Sequence, residues 1–256
     1  MAAGDRTATG VKRRGRASVR LSPLSLQLLS EFRLSFGGEV LELPMAVQRV
    51  VVFLALQSRA VLRPYVAGSL WLETSDERAA ANLRSALWRL NQVGHNIVDA
   101  TSSALRLDGA LEVDLRCYTV LAHRLLAGES DETDLDESPF CEDLLPDWYD
   151  DWLVIERERF HQLRLRTLEL ICERLTASGQ FARALDIGLA AVAGEPLRES
   201  SHRALVKVHL AEGNLAEARR QFDLYRRLLH DQLGLDPSPQ MVELLHQARP
   251  ETVTLR

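Results

Sequence analysis

Residues 177–184 and 211–218 repeat one pattern at a spacing of 34: Ala177 with Ala211, Gly179 with Gly213, Ala182 with Ala216 and Ala184 with Ala218. A unit of that period cannot bury its apolar face alone, so neighbouring helix pairs must stack on one another. The logic is steric. Glycine permits the tight turn, small alanines let paired helices approach, and Pro196 ends the second helix. The pattern predicts helices over about Trp152–Ala177, Ala182–Val192, Glu199–Glu212 and Leu215–Leu233. Two copies are too few for a stable stack, so Asp114–Leu126 and a final helix near Met241–His246, after Pro237 and Pro239, are expected to cap it.

The period is the tetratricopeptide one, and such a unit offers a concave binding surface without chemistry of its own. The first half of the chain reads differently. Phe32, Leu34 and Phe36 alternate with polar residues, Gly37-Gly38 supplies a turn, and Val40, Leu41 and Leu43 resume the apolar pattern, which predicts a β-hairpin. Beyond Pro44, Ala46–Leu56 suits a buried helix, although period alone leaves a strand open, and Arg63-Pro64 opens a short helix through Leu70 and Trp71.

Thr74 to Gly94 is the most informative segment. Thr74 with Glu77 three residues on makes a capping box, and Gly94 offers the stop. At about 100° per residue, Ala79, Leu83, Leu87 and Leu90 share one face of the helix between them. Arg78, Asn82, Ser85, Trp88, Arg89 and Gln92 fall on the other, with Arg84 and Asn91 at its flanks. That outer set contains no acid and consists of side chains able to read base edges: Arg donates twice to guanine, and Asn or Gln pairs with adenine. An ordinary solvated face is the alternative. Trp88 requires a partner surface, whether nucleic acid, the following hairpin or a neighbouring subunit.

Asn96–Asp99 and Ala104–Leu107 flank Thr101-Ser102-Ser103 and read as a hairpin wing. Helix, turn, helix and wing in this order let one helix enter the major groove while the wing meets the flanking backbone. Thr101, Ser102, Ser103 and Arg106 are candidate phosphate ligands, though a polar β-turn explains the three hydroxyls equally well. The expected fold class is thus mainly α with a small β component, an N-terminal winged helix-turn-helix followed by a tetratricopeptide-like repeat. A basic, flexible tail is read over 1–22, the winged helix over 23–113 and the repeat over 114–248; residues 24–116 are expected to fold alone.

Charge supports the division. Residues 1–116 hold 15 Lys and Arg against 11 Asp and Glu, whereas 117–256 hold 16 against 25. A basic half favours a polyanionic partner and an acidic half is repelled by one. Residues 128–151 read as an acidic linker, since Glu129–Asp151 carries 11 carboxylates and no Lys or Arg; a surface that competes with nucleic acid is the other reading. The 46% apolar and 26% charged composition is that of a core-forming chain, and its longest apolar run, Val50–Leu56, is far short of a membrane span. No apolar segment follows the basic residues near the N-terminus, so a cytoplasmic location is expected, on the nucleoid when bound. Cys117, Cys141 and Cys172 are an odd set without C-x-x-C and read as buried, reduced thiols. No phosphate-binding loop, dinucleotide fingerprint, nucleophile elbow or zinc-protease motif occurs, and His202 and His209 lack a third ligand. No catalytic residue, metal or cofactor is assigned.

Three segments carry a resemblance: Ala81-Asn-Leu-Arg-Ser-Ala-Leu-Trp-Arg-Leu90, Leu145-Pro-Asp-Trp-Tyr-Asp-Asp-Trp152 with Glu156-Arg-Glu-Arg159, and Leu233-Gly-Leu-Asp-Pro-Ser-Pro239. Over about residues 24–246 the chain resembles the actinomycete antibiotic regulatory proteins, which join a response-regulator-type winged helix to a bacterial transcriptional activator domain. Asn91 departs from the pattern, since many relatives have Arg there. The resemblance implies activation of a biosynthetic gene cluster by binding promoter direct repeats in double-stranded DNA, usually as a homodimer, and recruiting RNA polymerase. A helical-repeat adaptor whose winged helix has lost DNA binding is the alternative.

Overall fold

The computed structural model describes residues 24–129 and 138–247. The expected basic tail lies outside the described residues, as does most of the acidic stretch before Ser138.

A four-stranded sheet opens the fold in the order β3-β2-β1-β7, with β1 at Leu24–Gln27, β2 at Arg33–Phe36, β3 at Glu39–Val40 and β7 at Glu112–Val113. β2 and β3 form the hairpin expected around Gly37-Gly38. β1 was not evident in the sequence, because its four residues run straight into Leu28-Leu29 and lose the alternation. It pairs antiparallel with β2, placing Leu26 opposite Leu34, and parallel with β7, placing Leu26 opposite Val113. Leu26 and Leu34 are buried in the same core as α1 (Met45–Ala55), whose Val50–Ala55 stretch is wholly buried. The open helix-or-strand question over Ala46–Leu56 resolves as a helix.

α2 (Arg63–Leu70) starts with Pro64 in its first turn, where the missing N–H costs nothing. α3 spans Asp76–Asn91 and stops before Gly94, whose φ of +80° suits glycine. Its cap differs from the expected one. The Ser75 hydroxyl accepts from the Arg78 N–H, while Thr74 Oγ1 donates to the Trp71 carbonyl and closes the preceding turn. β5 (Val98–Ala100) and β6 (Ala104–Leu107) form the wing, and β4 (Val61–Leu62) adds an edge to it.

The remaining helices are α4 (Asp114–Leu126), α5 (Asp151–Ala177), α6 (Phe181–Gly194), α7 (Glu199–Ala211), α8 (Leu215–Leu233) and α9 (Pro239–Gln247). Gly188 marks a close approach between α6 and α7, since a Cβ there would sit 2.5 Å from Leu205 Cδ2. His202 belongs to the core: Nε2 lies 2.9 Å from the Pro196 carbonyl, and burial pushes its pKa below the usual imidazole value despite that hydrogen bond. Of the three cysteines expected to be buried, only Cys172 is; burial pushes its thiol up to about 11, whereas Cys117 and Cys141 are exposed.

Residues 138–150 are not a solvated connector. Phe140 enters the core of the repeat domain, while Leu144, Leu145 and Trp148, together with Leu153 and Phe160 of α5, complete the core of the winged helix. The repeat domain therefore lends apolar surface to the winged helix.

Candidate nucleic-acid interface

Amphipathic patterning places α3. Ala79, Leu83, Ala86, Leu87 and Leu90 are buried against α1 and α2, which turns the opposite side outward. Arg78, Arg84, Ser85, Trp88, Arg89 and Gln92 are exposed. Among the described residues, the guanidinium groups of Arg78, Arg84 and Arg89 form no ion pair or hydrogen bond, so their charge is available to a partner. Asn82 departs from the expected set: it is half-buried at the edge of the core stripe. The outer surface is not acid-free either, since Asp76 and Glu77 are exposed in the first turn, where carboxylates complement the helix dipole. Trp88 is 64% exposed, so the wing does not cover it.

The wing supplies less free charge than its sequence suggests. Arg106 is paired with Asp99 at 3.1 Å across the hairpin. That hydrogen bond, and a second from Asn96, hold the Asp99 carboxyl below its usual value. Thr101 Oγ1 accepts from the Ala104 N–H at 3.0 Å and donates to the Ala104 carbonyl, which makes it a turn-closing residue. Ser102 and Ser103 remain exposed at the tip. Arg63 was missed in the sequence: its Nε donates to the Thr101 carbonyl at 2.9 Å and its backbone N–H to the Ser103 carbonyl, fixing the wing tip to the start of α2. Its position before Pro64 was visible; its reach to the wing was not.

Behind this surface, a junction holds the repeat domain. Asp114 opens α4, and its carboxylate accepts from the N–H groups of Leu28, Leu29 and Leu115 at 2.6–3.0 Å. Burial raises its pKa above the ordinary value, and the three amides pull it back only in part. Arg116 reaches the last turn of α1, donating to the carbonyls of Ala55 at 3.0 Å and Gln57 at 3.0 Å. From α5, Arg157 donates to the carbonyls of Leu144 at 3.0 Å and Trp148 at 2.7 Å, and also binds that of Leu145. This pins the 144–148 segment, which hydrogen-bonds back to Leu28 through the Leu145 N–H at 3.0 Å. Phe53 and Trp152 meet edge to face at 5.4 Å. Tyr149–Trp152 and the α2–α3 turn, Trp71–Thr74, line one cleft of about 320 Å³.

Among the described residues no helix is long and apolar enough to cross a membrane, and no cluster of three or more His, Cys, Asp or Glu is arranged to hold a metal.

Residues 134–249 match the bacterial transcriptional activator domain. The chain is 27% identical over 240 residues to regulatory protein AfsR of Streptomyces coelicolor, a match that takes in 86% of this chain and 24% of that protein. It therefore spans about a quarter of that regulator's length. The fold is similar to that of Mycobacterium tuberculosis EmbR, solved in complex with a low-affinity phosphopeptide, with a TM-score of 0.67 at 18% identity over 88% of this chain and 65% of the other. The residues of the Leu145–Trp152 signature thus act in this fold as the seam between its two domains. The chain thus sets a winged helix directly before a segment that matches the bacterial transcriptional activator domain, an arrangement similar to that of the actinomycete antibiotic regulatory proteins.

Proposed function

We propose that this protein is a transcriptional regulator that binds promoter DNA through α3 and the wing and activates transcription by presenting its helical repeat to RNA polymerase. The observation that carries the reading is the set of uncommitted guanidiniums of Arg78, Arg84 and Arg89 around exposed Trp88, on the second helix of a helix-turn-helix. Bidentate arginine contacts to guanine supply sequence readout, and Ser102 and Ser103 at the wing tip contribute backbone contacts. The resemblance to antibiotic regulatory proteins supports a dimer on direct repeats and a biosynthetic gene cluster as target.

One observation favours the adaptor reading. Residues 24–113 hold eight Arg and nine Asp and Glu, so the positive charge of the first half resides in residues 1–23 and not in the winged helix. Salt dependence separates the two readings. Fluorescence anisotropy of the full chain on DNA from its own upstream region should show log Kd rising with log salt, with a slope of about 0.9 for each phosphate contact. Arg89→Ala should cost about 1–3 kcal/mol and reduce discrimination against mutated DNA. Salt-independent or absent binding sinks the DNA reading and leaves the adaptor.

A further inference from the structure

Seen along α3, Ala79, Leu83, Ala86 and Leu90 form the buried stripe, and at about 100° per residue Trp88 stands almost diametrically opposite it. Arg84 precedes it by one turn on the same side, Ser85 stands beside it, and Arg89 follows on the far flank. The most protruding point of the reading helix is therefore a large indole between cationic groups. No ring of the described residues stacks on it, and its 64% exposure shows that neither the wing nor the repeat domain shields it.

On the reading that α3 enters the major groove, the crest residue meets the groove floor first. Most groups there are hydrogen-bond donors or acceptors, which an indole carbon face would desolvate without compensation. The thymine 5-methyl group is the apolar exception. We infer that Trp88 is a specificity-determining residue that packs on a thymine methyl lying between base pairs read by Arg84 and Arg89. A guanine or cytosine at that step presents polar edges to the indole and is rejected.

The test uses the full chain and a duplex enriched by it from a randomised 20-base-pair pool, then resynthesised with uracil replacing one thymine at a time. Uracil keeps every hydrogen bond of thymine and lacks only the methyl. At one thymine per half-site the substitution should weaken wild-type binding about fourfold, the equivalent of one buried methylene-sized group. Trp88→Ala should bind the parent duplex more weakly and be blind to uracil at that position, while Trp88→Phe retains most of the effect. A consensus without an invariant thymine overturns the inference, as does a uracil penalty equally present in Trp88→Ala. A chain that enriches no sequence and shows no salt-dependent binding defeats the DNA reading itself and the inference with it. Salt-dependent, selective binding that ignores uracil defeats the inference alone.

Discussion

The Asp150 carboxylate lies 2.6 Å from the Arg49 guanidinium, joining the residue that precedes α5 to the middle of α1. Arg49 also donates to the Leu70 carbonyl at 2.8 Å, and Asp150 accepts from the Trp152 indole N–H at 3.0 Å. The pair therefore couples the start of α5 to α1 and, through the Leu70 carbonyl, to the end of α2. Removing the carboxylate leaves a mostly covered guanidinium short of a partner, its Nε already unsatisfied. Asp150→Ala should destabilise the full chain by about 1.5–3 kcal/mol. Urea midpoints measure this, and a change under about 0.5 kcal/mol, the range of ordinary surface substitutions, would show that the pair is inconsequential.

The shared core predicts that residues 24–116 do not form a native domain, contrary to the expectation from sequence. Cutting there removes Leu144, Leu145, Trp148, Leu153 and Phe160 from the winged-helix core. Full burial of each such side chain is worth about 1.5–3 kcal/mol, and the sum rivals the whole stability of a small domain. Circular dichroism melts should show a broad or absent transition for 24–116 and a cooperative one for 24–177, which keeps α5. A cooperative melt of the shorter fragment near the full chain's midpoint would refute the shared core.

Much of this architecture is legible in the sequence, for identifiable reasons. α3, α4 and α8 are long segments punctuated by Gly or Pro, and periodicity locates them within two residues at either end. β4 and β7 have two residues each and no period to detect. The seam escaped for another reason. Local composition around 129–151 is dominated by carboxylates, whereas what decides the fate of Leu144, Leu145 and Trp148 is contact with Leu28 and Phe32, far away in the chain. Candidate DNA contacts were read from helical angle alone, which placed Trp88 and Arg89 outside but could not reveal Asn82 turning toward the core or Arg106 being taken by Asp99.

That last pair gives a prediction on the wing. Asp99→Asn removes the charge that holds Arg106, and the freed guanidinium becomes an additional phosphate ligand. Affinity for cognate and unrelated DNA should rise together, and the salt slope should steepen by at most about one unit. Anisotropy at three salt concentrations measures both. Unchanged slope and affinity would place the wing off the DNA backbone.

The repeat domain has its own titrating bond. Glu169 accepts from Arg198 at 2.8 Å, Ser200 at 2.6 Å and Ser201 at 2.8 Å, linking α5 to the start of α7. Burial by itself would raise its pKa, but the bonds from Arg198, Ser200 and Ser201 outweigh it and leave the value below the usual 4.5. A carboxylate with a depressed native pKa stabilises fully above its unfolded value and loses that contribution as pH falls through the native one. Glu169→Gln should therefore be less stable than wild type at pH 7, with the difference shrinking as pH drops below about 4.5. Urea midpoints across pH 3–7 decide this; a gap that stays constant would assign the loss to packing.

β7 ends at Val113 and α4 begins at Asp114, with no residue between them, and Asp114 and Arg116 clamp that junction to β1 and α1. On the proposed function, a chain built this way has a compass bearing. With α3 seated in a groove, the azimuth at which the helical stack projects around the duplex axis would be set by the same few bonds. Displacing the binding site by half a helical turn, about 5 base pairs, would swing the stack to the opposite side of the DNA, whereas about 10 base pairs would return it to the same face at greater reach.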